Sequence, residues 1–429
     1  MTSRLICEEC GATYPASSPI VQCAACAGLL SLEHEAPQTR AATLQLRFDT
    51  RLGGAQANGG PERRSGVWRF RELVLPGVED AAVVTQPEGN TPLIARDTIA
   101  AWCGLDDLQL KHEGHNPSGS FKDRGMTVAV TQARRLAATG VACASTGNTS
   151  SSLAAYAALA NVPALVLVPA GQLALGKLAQ TLAYGARTLL VRGDFDACLR
   201  LVREAAEHLG VYLTNSINPF RLEGQKTIVF ELLQQLGWDA PDWIVVPAGN
   251  LGNTSAFGAA LKTAHEFGLI DRMPRLAAVQ AAGAAPFAAA FRTGFAERLT
   301  VHPETVATAI RIGAPASWNR AVRAIRETNG VVVAVSDAEI LEAKAVIDAS
   351  GTGCEPASAA SVAGVRALVR QGVVRRESRV VAVLTGHILK DPGILLEFHR
   401  QGAQAPGANP PIEIDAKLSE VERVLAGRS

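Results

Sequence analysis

The chain has 429 residues, of which 48% are hydrophobic and 19% charged, values typical of a globular protein with a large core. Its 41 basic and 40 acidic side chains leave a formal net charge of +1, which argues against nucleic-acid and membrane-surface partners and favours a small-molecule substrate. At about 150 residues per domain, this length predicts two or three domains.

The first 35 residues stand apart because they carry two C-x-x-C pairs. Cys7 and Cys10 are separated from Cys23 and Cys26 by 12 residues. This spacing resembles zinc-ribbon knuckles, in which four thiolates hold a structural Zn²⁺ and leave no open position for catalysis. Free thiols are the alternative. The remaining cysteines lie in apolar surroundings and are expected to be buried small hydrophobic residues: Cys103, Cys143, Cys198 and Cys354.

The N-terminus lacks the apolar segment of a signal peptide, and the most apolar long stretch, residues 153–170, is interrupted by Asn161 and Pro163. We therefore expect a cytoplasmic protein without a membrane span. Residues 36–66 are predicted to be a linker or loop, since residues 51–66 are rich in Gly, Arg and Asn.

Beyond residue 106, apolar strands alternate with amphipathic helices. The predicted strands cover residues 107–113, 141–145, 164–170, 187–193, 211–216, 242–249, 275–281, 330–336 and 378–386. The predicted helices cover residues 122–140, 148–163, 175–186, 195–210, 224–237, 254–269, 337–349 and 356–372. Strands that are apolar throughout and alternate with helices are typical of parallel α/β sheets covered on both faces.

Four polar segments follow predicted strands, where parallel sheets bind their ligands. They are SGSFKDRG, STGNTS, PAGNLGNTS and LTGHILKDP. In the third, Gly249 and Gly252 let the backbone approach a ligand closely, and the helix that follows offers free N–H groups to an anion. An ordinary Gly-rich turn between strand and helix is the alternative to a phosphate cradle.

Lys122 lies two residues after Ser120, at a predicted helix start. The helix dipole disfavours a cation there, and that field together with burial would lower the pKa of the amine and make it a nucleophile. The alternative is a salt bridge to Asp123 or another acid. Asp123 and Arg124 themselves are expected to pair with neighbours and set the helix.

Six segments in series resemble the threonine synthase family, whose members are pyridoxal-phosphate enzymes with the tryptophan-synthase-β (fold-type II) fold. The segments are NPSGSFKDRG, ASTGNTS, TNSINPFRLEGQKT, VPAGNLGN, EPASAASVAG and LTGHILKDP. The resemblance covers about residues 66–400. It implies an α/β fold with two parallel-rich open domains and a small zinc-ribbon-like extension. The implied boundaries are 1–35 for the extension, 36–66 for the linker, 67–127 with 223–429 for the large domain, and 128–222 for the small domain.

The resemblance also assigns roles in binding the cofactor. Lys122 matches the lysine that links covalently to pyridoxal phosphate, Phe121 a residue flanking the ring, and Asn148 the side chain that bonds the ring hydroxyl. Thr385 matches the residue facing the pyridine nitrogen, where a hydroxyl leaves the ring a milder electron sink than a carboxylate does. The phosphate loop matches Gly249, Asn250, Leu251, Gly252 and Asn253.

The family's substrate, O-phosphohomoserine, brings a second phosphate. The residues that match its phosphate site are Lys177, Asn215, Ser216 and Arg221, and those that match its carboxylate loop are Ser145, Thr146 and Thr149. From the residues alone, Asn215 and Ser216 are better explained as turn residues, and Lys177 as a solvated helix cation.

The resemblance implies a carbon–oxygen lyase of threonine biosynthesis, and often a homodimer, that converts O-phosphohomoserine and water to threonine and phosphate. A cysteate-synthase-like enzyme or a serine or threonine dehydratase of the same fold is an alternative, although a dehydratase would not need Lys177 and Arg221. A catalytically silent binding protein is a further alternative, against which the intact Lys122, Asn148 and Thr385 argue.

Overall fold

The computed structural model describes residues 3–53, 59–171, 175–400 and 407–426, with the side chains of 175–177 excepted. The strands are β1 (Ser3–Cys7), β2 (Thr13–Pro15), β3 (Leu30–His34), β4 (Leu93–Ala95), β5 (Asp107–His112), β6 (Gly140–Ala144), β7 (Ala164–Pro169), β8 (Arg187–Val191), β9 (Val211–Leu213), β10 (Trp243–Pro247), β11 (Arg275–Ala281), β12 (Val331–Val335) and β13 (Arg379–Leu384).

The helices connect these strands and cover their faces. They are α1 (Ala41–Gly53), α2 (Pro61–Arg64), α3 (Arg71–Val74), α4 (Asp97–Cys103), α5 (Lys122–Arg135), α6 (Asn148–Ala160), α7 (Leu175–Ala183), α8 (Phe195–His208), α9 (Pro219–Gln235), α10 (Gly252–Glu266), α11 (Pro286–Phe291), α12 (Trp318–Glu327), α13 (Asp337–Ala349), α14 (Pro356–Arg370), α15 (Pro392–Arg400) and α16 (Leu418–Ala426). Within the described residues, none of them is long and apolar enough to cross a membrane.

The larger sheet has six strands in the order β12-β11-β10-β13-β5-β4. Its first five strands are parallel, and β4 pairs antiparallel with β5 at the edge. The central strand β10 (WIVVP) is buried along its whole length, as expected for a strand that helices cover on both faces. The predicted parallel-rich α/β fold is confirmed.

The smaller sheet has four parallel strands in the order β8-β7-β6-β9. All four lie within residues 128–222, the range predicted for a small domain. In the chain order they interrupt the larger sheet, because β5 precedes them and β10 follows them. The exact boundaries between domains stay a prediction.

The N-terminal residues form an antiparallel three-stranded sheet in the order β2-β1-β3. It is fixed to the main body through β3, where His34 Nε2 lies 2.9 Å from Glu223 of α9. The range 36–66, predicted to be a linker or loop, contains α1 and α2. Helix α1 buries Leu44 and Phe48, and this packing orders a segment whose composition suggested none.

Candidate active site

Three neighbouring strands of the larger sheet end at the same edge and deliver the predicted cofactor residues there. Strand β13 pairs with β10 on one side and with β5 on the other. Thr385 follows β13, the loop 248–253 follows β10, and β5 leads through residues 113–121 to Lys122. The smaller sheet contributes the ends of its neighbours β6 and β9. The carboxyl edges of parallel strands are where open α/β sheets bind ligands.

Lys122 is held by main-chain hydrogen bonds between the segment before α5 and the segment after β13. A β-bridge pairs Ser120 with Gly386. The N–H of Phe121 donates to the carbonyl of Thr385 at 3.0 Å, and the N–H of His387 donates to the carbonyl of Gly119 at 2.9 Å. Lys122 and Thr385 are therefore fixed beside each other although 263 positions of sequence separate them.

The Lys122 amine is not an ordinary surface cation. It lies 4.1 Å from the centre of the Phe121 ring and forms no ion pair with a carboxylate of the described residues. Burial, together with the nearby Arg221 cation, lowers the pKa of Lys122 from 10.5 to about 7, while Glu355 opposes this shift. Because the amine is substantially neutral near pH 7, it can act as a nucleophile or a base.

Asp123 and Arg124 anchor α5, and neither binds Lys122. The Asp123 carboxylate accepts hydrogen bonds from the N–H and hydroxyl of Ser118 and from the hydroxyl of Ser152. The Arg124 guanidinium bonds the buried carboxylates of Glu113 and Glu231. The predicted structural role of both residues is confirmed, and the alternative salt bridge between Lys122 and Asp123 is absent.

The loop after β10 turns sharply into α10. Leu251 adopts a left-handed conformation with φ 63°, and the first backbone bond of the helix runs from the N–H of Ser255 to Leu251. The N–H groups of the first three helical residues are therefore outside the helical hydrogen-bond pattern. The buried side-chain atoms Asn253 Oδ1 and Thr254 Oγ1 also have no partner among the described residues. The N–H groups and the Thr254 hydroxyl can donate to a phosphate at this helix N-terminus, whereas an amide oxygen such as Asn253 Oδ1 can only accept.

Asn148 and Thr385 meet at a carboxylate that the sequence analysis did not single out, that of Glu355. Asn148 Nδ2 donates to Glu355 Oε2 at 3.0 Å, and the Thr385 hydroxyl lies 3.4 Å from Glu355 Oε1. The Thr385 hydroxyl is also 2.9 Å from that of Ser358. Burial raises the pKa of Glu355, and the hydrogen bond from Asn148 opposes this. Glu355 could have been found from the sequence, because it is the first residue of the EPASAASVAG segment.

Arg221 is a buried cation without a carboxylate partner among the described residues. Its side chain is 1% exposed, and Nη1 donates to the carbonyl of Thr214 at 3.0 Å. Its Nε and Nη2 atoms are buried and have no hydrogen-bond partner within the described part of the chain. Burial lowers the pKa of Arg221 to about 10, so the group keeps its charge at neutral pH. A buried guanidinium with two such donors is well suited to bind an anion.

The other predicted substrate residues have different surroundings. Ser145 and Thr146 lie in the partly exposed loop between β6 and α6, and Thr149 lies in the first turn of α6. The Asn215 amide binds both the N–H and the carbonyl of Ala144, so it joins the ends of β6 and β9.

Ser216 bonds a residue of the other sheet, because its hydroxyl accepts from Asn250 Nδ2. The backbone of Lys177 belongs to α7, and its side chain lies outside the described residues.

The four N-terminal cysteines, hereafter the cysteine knuckle, lie together. Their sulfur atoms are all within 4.8 Å of one another, and three of the pairs are 3.4, 3.5 and 3.6 Å apart. A tetrahedral zinc thiolate site with bonds of about 2.3 Å places its sulfur atoms about 3.8 Å apart. The other four cysteines are buried, as predicted.

Comparisons with known proteins agree with this geometry. A family model described as pyridoxal-phosphate dependent enzyme matches residues 84–386. The chain is 44% identical to the threonine synthase of Methanosarcina acetivorans over 99% of both chains, and 48% identical to that of Synechocystis over 82% of this chain and 92% of the relative. The chain belongs to the threonine synthase family of pyridoxal-phosphate-dependent enzymes.

Solved structures extend the agreement to the fold. The Escherichia coli threonine synthase aligns with a TM-score of 0.70 over 99% of this chain and all of that chain, at 18% sequence identity. A threonine deaminase from Solanum lycopersicum aligns with a TM-score of 0.60 over 69% of this chain and 83% of that one, at 21% identity. At these identities the likeness shows a fold common to threonine synthases and to other enzymes.

Proposed function

We propose that this threonine synthase family member converts O-phosphohomoserine and water to threonine and phosphate. The observation that carries the proposal is the buried Arg221 guanidinium, whose two free donors lie in the same site as the low-pKa Lys122. A substrate with a neutral hydroxyl side chain offers this cation only its α-carboxylate, whereas a phosphorylated side chain brings a dianion that pairs with it.

The residues present fit pyridoxal phosphate. The unpaired N–H groups at the start of α10, with Asn253 and Thr254, would hold its phosphate, and Asn148 and Thr385 would bond its ring hydroxyl and ring nitrogen. Phe121 would lie beside the ring, and Lys122 would bind it covalently. When bound, this cofactor withdraws electrons from the α-carbon of an amino acid and so makes its proton removable.

Lys122 is the residue that we assign to proton transfer. Its pKa of about 7 leaves the free amine able to accept the substrate's Cα proton and later to return a proton. Its flexible stem starts from a backbone pinned to Thr385, so the amine can reach neighbouring carbons of the substrate while its origin stays fixed.

Anion binding at both ends of the substrate would orient it. Arg221, with Ser216, Asn215 and Lys177, is assigned to the substrate phosphate, and the loop of Ser145, Thr146 and Thr149 to the carboxylate. In the reaction the bond between Cγ and the phosphate oxygen breaks, Cβ loses a proton and gains the water hydroxyl, and Cγ gains a proton. Phosphate leaves, and no oxidant or reductant is consumed.

The cysteine knuckle is proposed to bind one structural Zn²⁺. The sulfur separations support a tetrahedral thiolate site, and the hydroxyl of Tyr14 lies 3.1 Å from Cys23 Sγ, where it can donate to a ligand thiolate. A homodimer and a cytoplasmic location stay predictions, which light scattering and cell fractionation test.

Phosphate release from O-phosphohomoserine tests the proposed reaction. We expect the wild type to release phosphate and threonine in equal amounts, and to act poorly on O-phosphoserine and threonine. Arg221→Gln should raise KM for O-phosphohomoserine and lower kcat/KM by at least about tenfold, because a charged hydrogen bond contributes about 1.5–3 kcal/mol. Normal cofactor absorbance without phosphate release from O-phosphohomoserine would overturn the proposal.

A further inference from the structure

The cysteine knuckle contacts one helix of the main body, α12, through the residues between its first two cysteines. Glu8 accepts two hydrogen bonds from Arg323, at 2.8 and 3.0 Å, and its carboxylate lies 3.6 Å from Arg320 Nε. Glu9 accepts a hydrogen bond from Asn319 at 2.9 Å. Three residues from the first two turns of α12 therefore contact the knuckle.

The Arg320 contact is buried and specific. Arg320 is 5% exposed, and it also donates through Nη2 to the carbonyl of Leu30 in β3. Its Nη1 atom has no partner among the described residues. The neighbouring carboxylate of Glu223 is already paired with Lys226 and His34. Without Glu8, the Arg320 cation would lose its closest counter-charge inside the protein, an unfavourable change for a buried group.

The N-terminal end of α12, which contacts the knuckle, also contacts the candidate cofactor-phosphate loop. The two residues before α12 hold Asn250: the N–H of Ala316 donates to Asn250 Oδ1 at 2.6 Å, and the N–H of Ser317 donates to the Asn250 carbonyl at 3.3 Å. Asn250 Nδ2 in turn donates to Ser216. Asn250 is thus held in its side chain and its main chain by the start of α12.

Helix α12 also packs directly on α10, the helix that follows the candidate phosphate loop. The approach is so close at Gly258 that a Cβ atom there would overlap that of Ala324. A shift of α12 would therefore displace both the loop 249–253 and α10, because a tightly packed contact transmits displacement.

We propose that Glu8, Arg320 and Arg323 form a brace through which the cysteine knuckle positions the cofactor-phosphate loop. None of the three touches substrate or cofactor, so they are positioning residues that act through α12 and Asn250. The inference rests on the proposed function for its assignment of residues 249–253 to the cofactor phosphate. It gives the N-terminal extension a role in the site, although Cys10 of the knuckle and Asn250 of the loop are 240 positions apart in the sequence.

Glu8→Gln and Arg323→Gln in the full-length protein test the brace. Arg323 is half-exposed and lies outside the knuckle, so its replacement leaves the cysteines unchanged. Glu33→Gln is the matched control, because Glu33 belongs to the same N-terminal sheet but pairs with the exposed Arg4 of that sheet. Two quantities are measured: amide hydrogen exchange across residues 249–255 in the cofactor-free protein, and the Kd for pyridoxal phosphate.

We expect both brace variants to exchange faster at residues 249–255 and to bind pyridoxal phosphate at least about fivefold more weakly, the lower end of ordinary coupling between sites. Arg323→Lys should recover part of the loss, since it keeps the charge but not the two-pronged bond. Glu33→Gln should match the wild type. If Glu8→Gln loses zinc or fails to fold, Arg323→Gln decides the outcome.

The brace is overturned if Arg323→Gln leaves both the exchange at residues 249–255 and the Kd unchanged. Failure of the proposed function looks different. In that case pyridoxal phosphate would not protect residues 249–255 from exchange even in the wild type, whereas failure of the brace alone leaves that protection intact in every variant.

Discussion

Lys122 combines a fixed backbone with an unpaired amine, and both follow from its neighbours. Ser120 and Phe121 fasten the backbone to the segment after β13. The Asp123 carboxylate binds Ser118 and Ser152 instead of Lys122, and none of the carboxylates that the structure describes forms an ion pair with the amine. Burial and the Arg221 cation favour the neutral amine, and together they outweigh the opposing effect of the Glu355 carboxylate on the pKa of Lys122. The Lys122 amine therefore keeps a lowered pKa although Asp123 is the next residue in the chain.

Replacing Arg221 should raise the pKa of Lys122. In Arg221→Gln the like charge is removed, so the pKa should move from about 7 toward the ordinary 10.5. The pH dependence of amine modification in the cofactor-free protein, with labelled Lys122 identified by mass spectrometry, measures this shift. Arg134→Gln, on the exposed end of α5, is the control and should leave the midpoint unchanged. An unchanged midpoint in Arg221→Gln would show that burial alone lowers the pKa.

At the scale of elements, α5 carries Lys122 because it packs closely on α9. Gly224 of α9 faces the backbone of α5, and a Cβ atom there would overlap the carbonyl oxygen of Arg124. Buried charges join the same two helices, since Arg124 bonds Glu231 at 2.7 Å and Lys111 of β5 bonds the same carboxylate oxygen at 2.7 Å. The position of α5, and with it Lys122, therefore depends on a glycine and on a buried ionic network.

Gly224→Ala should force α5 and α9 apart. The added methyl meets backbone, which cannot move aside as a side chain can, so we expect a loss of about 1–3 kcal/mol in the free energy of unfolding and a fall in kcat. Urea unfolding and steady-state kinetics measure the two effects. Gly393→Ala, in α15 with open space around it, should be neutral or slightly stabilising. Equal stabilities for the two variants would contradict the close-packing argument.

At the scale of the whole molecule, the candidate site lies where the two sheets come together, and an N-terminal module is attached to the helices of the larger one. Asn148 from the smaller sheet bonds Glu355 from the larger one, and Ser216 bonds Asn250 in the same way. The N-terminal module is attached through Glu8 to α12 and through His34 to α9. Each attachment joins residues more than 30 positions apart, so folding of the whole chain precedes a complete site.

Loss of one knuckle cysteine should release the metal and loosen the N-terminal module. We expect Cys10→Ser to lower the zinc content from one ion per chain to well below that and to lower Tm, because four thiolates are needed for a closed tetrahedral site. Metal analysis after dialysis and thermal unfolding measure both. Cys103→Ala, which removes a buried cysteine far from the knuckle in sequence, should keep the zinc. Zinc-free wild-type protein would contradict the assignment.

The sequence by itself determined the chain order of the nine parallel strands that build the two sheets, but not the antiparallel edge strand β4. All nine predicted strands and eight predicted helices occur, because runs of apolar residues with periods of 2 or 3.6 report local backbone structure. It also identified Lys122 and the paired cysteines, whose chemistry depends on residue type and short spacing. The missed elements are the strands β1 to β4 and the helices α1, α2, α3, α4, α11, α12, α15 and α16. Helix α1 was missed because the Gly-rich composition next to it indicated a loop.

Only the tertiary structure decided which distant side chains meet. Strand order placed Thr385 between the phosphate loop and Lys122, and it brought Glu355 to Asn148 and Glu8 to Arg323. It also showed that Asn215 is engaged by Ala144 while Arg221 keeps free donors, a difference that residue type cannot reveal. The physical reason is that periodicity and composition act over a few residues, whereas such contacts depend on how sheets and helices pack across the whole chain.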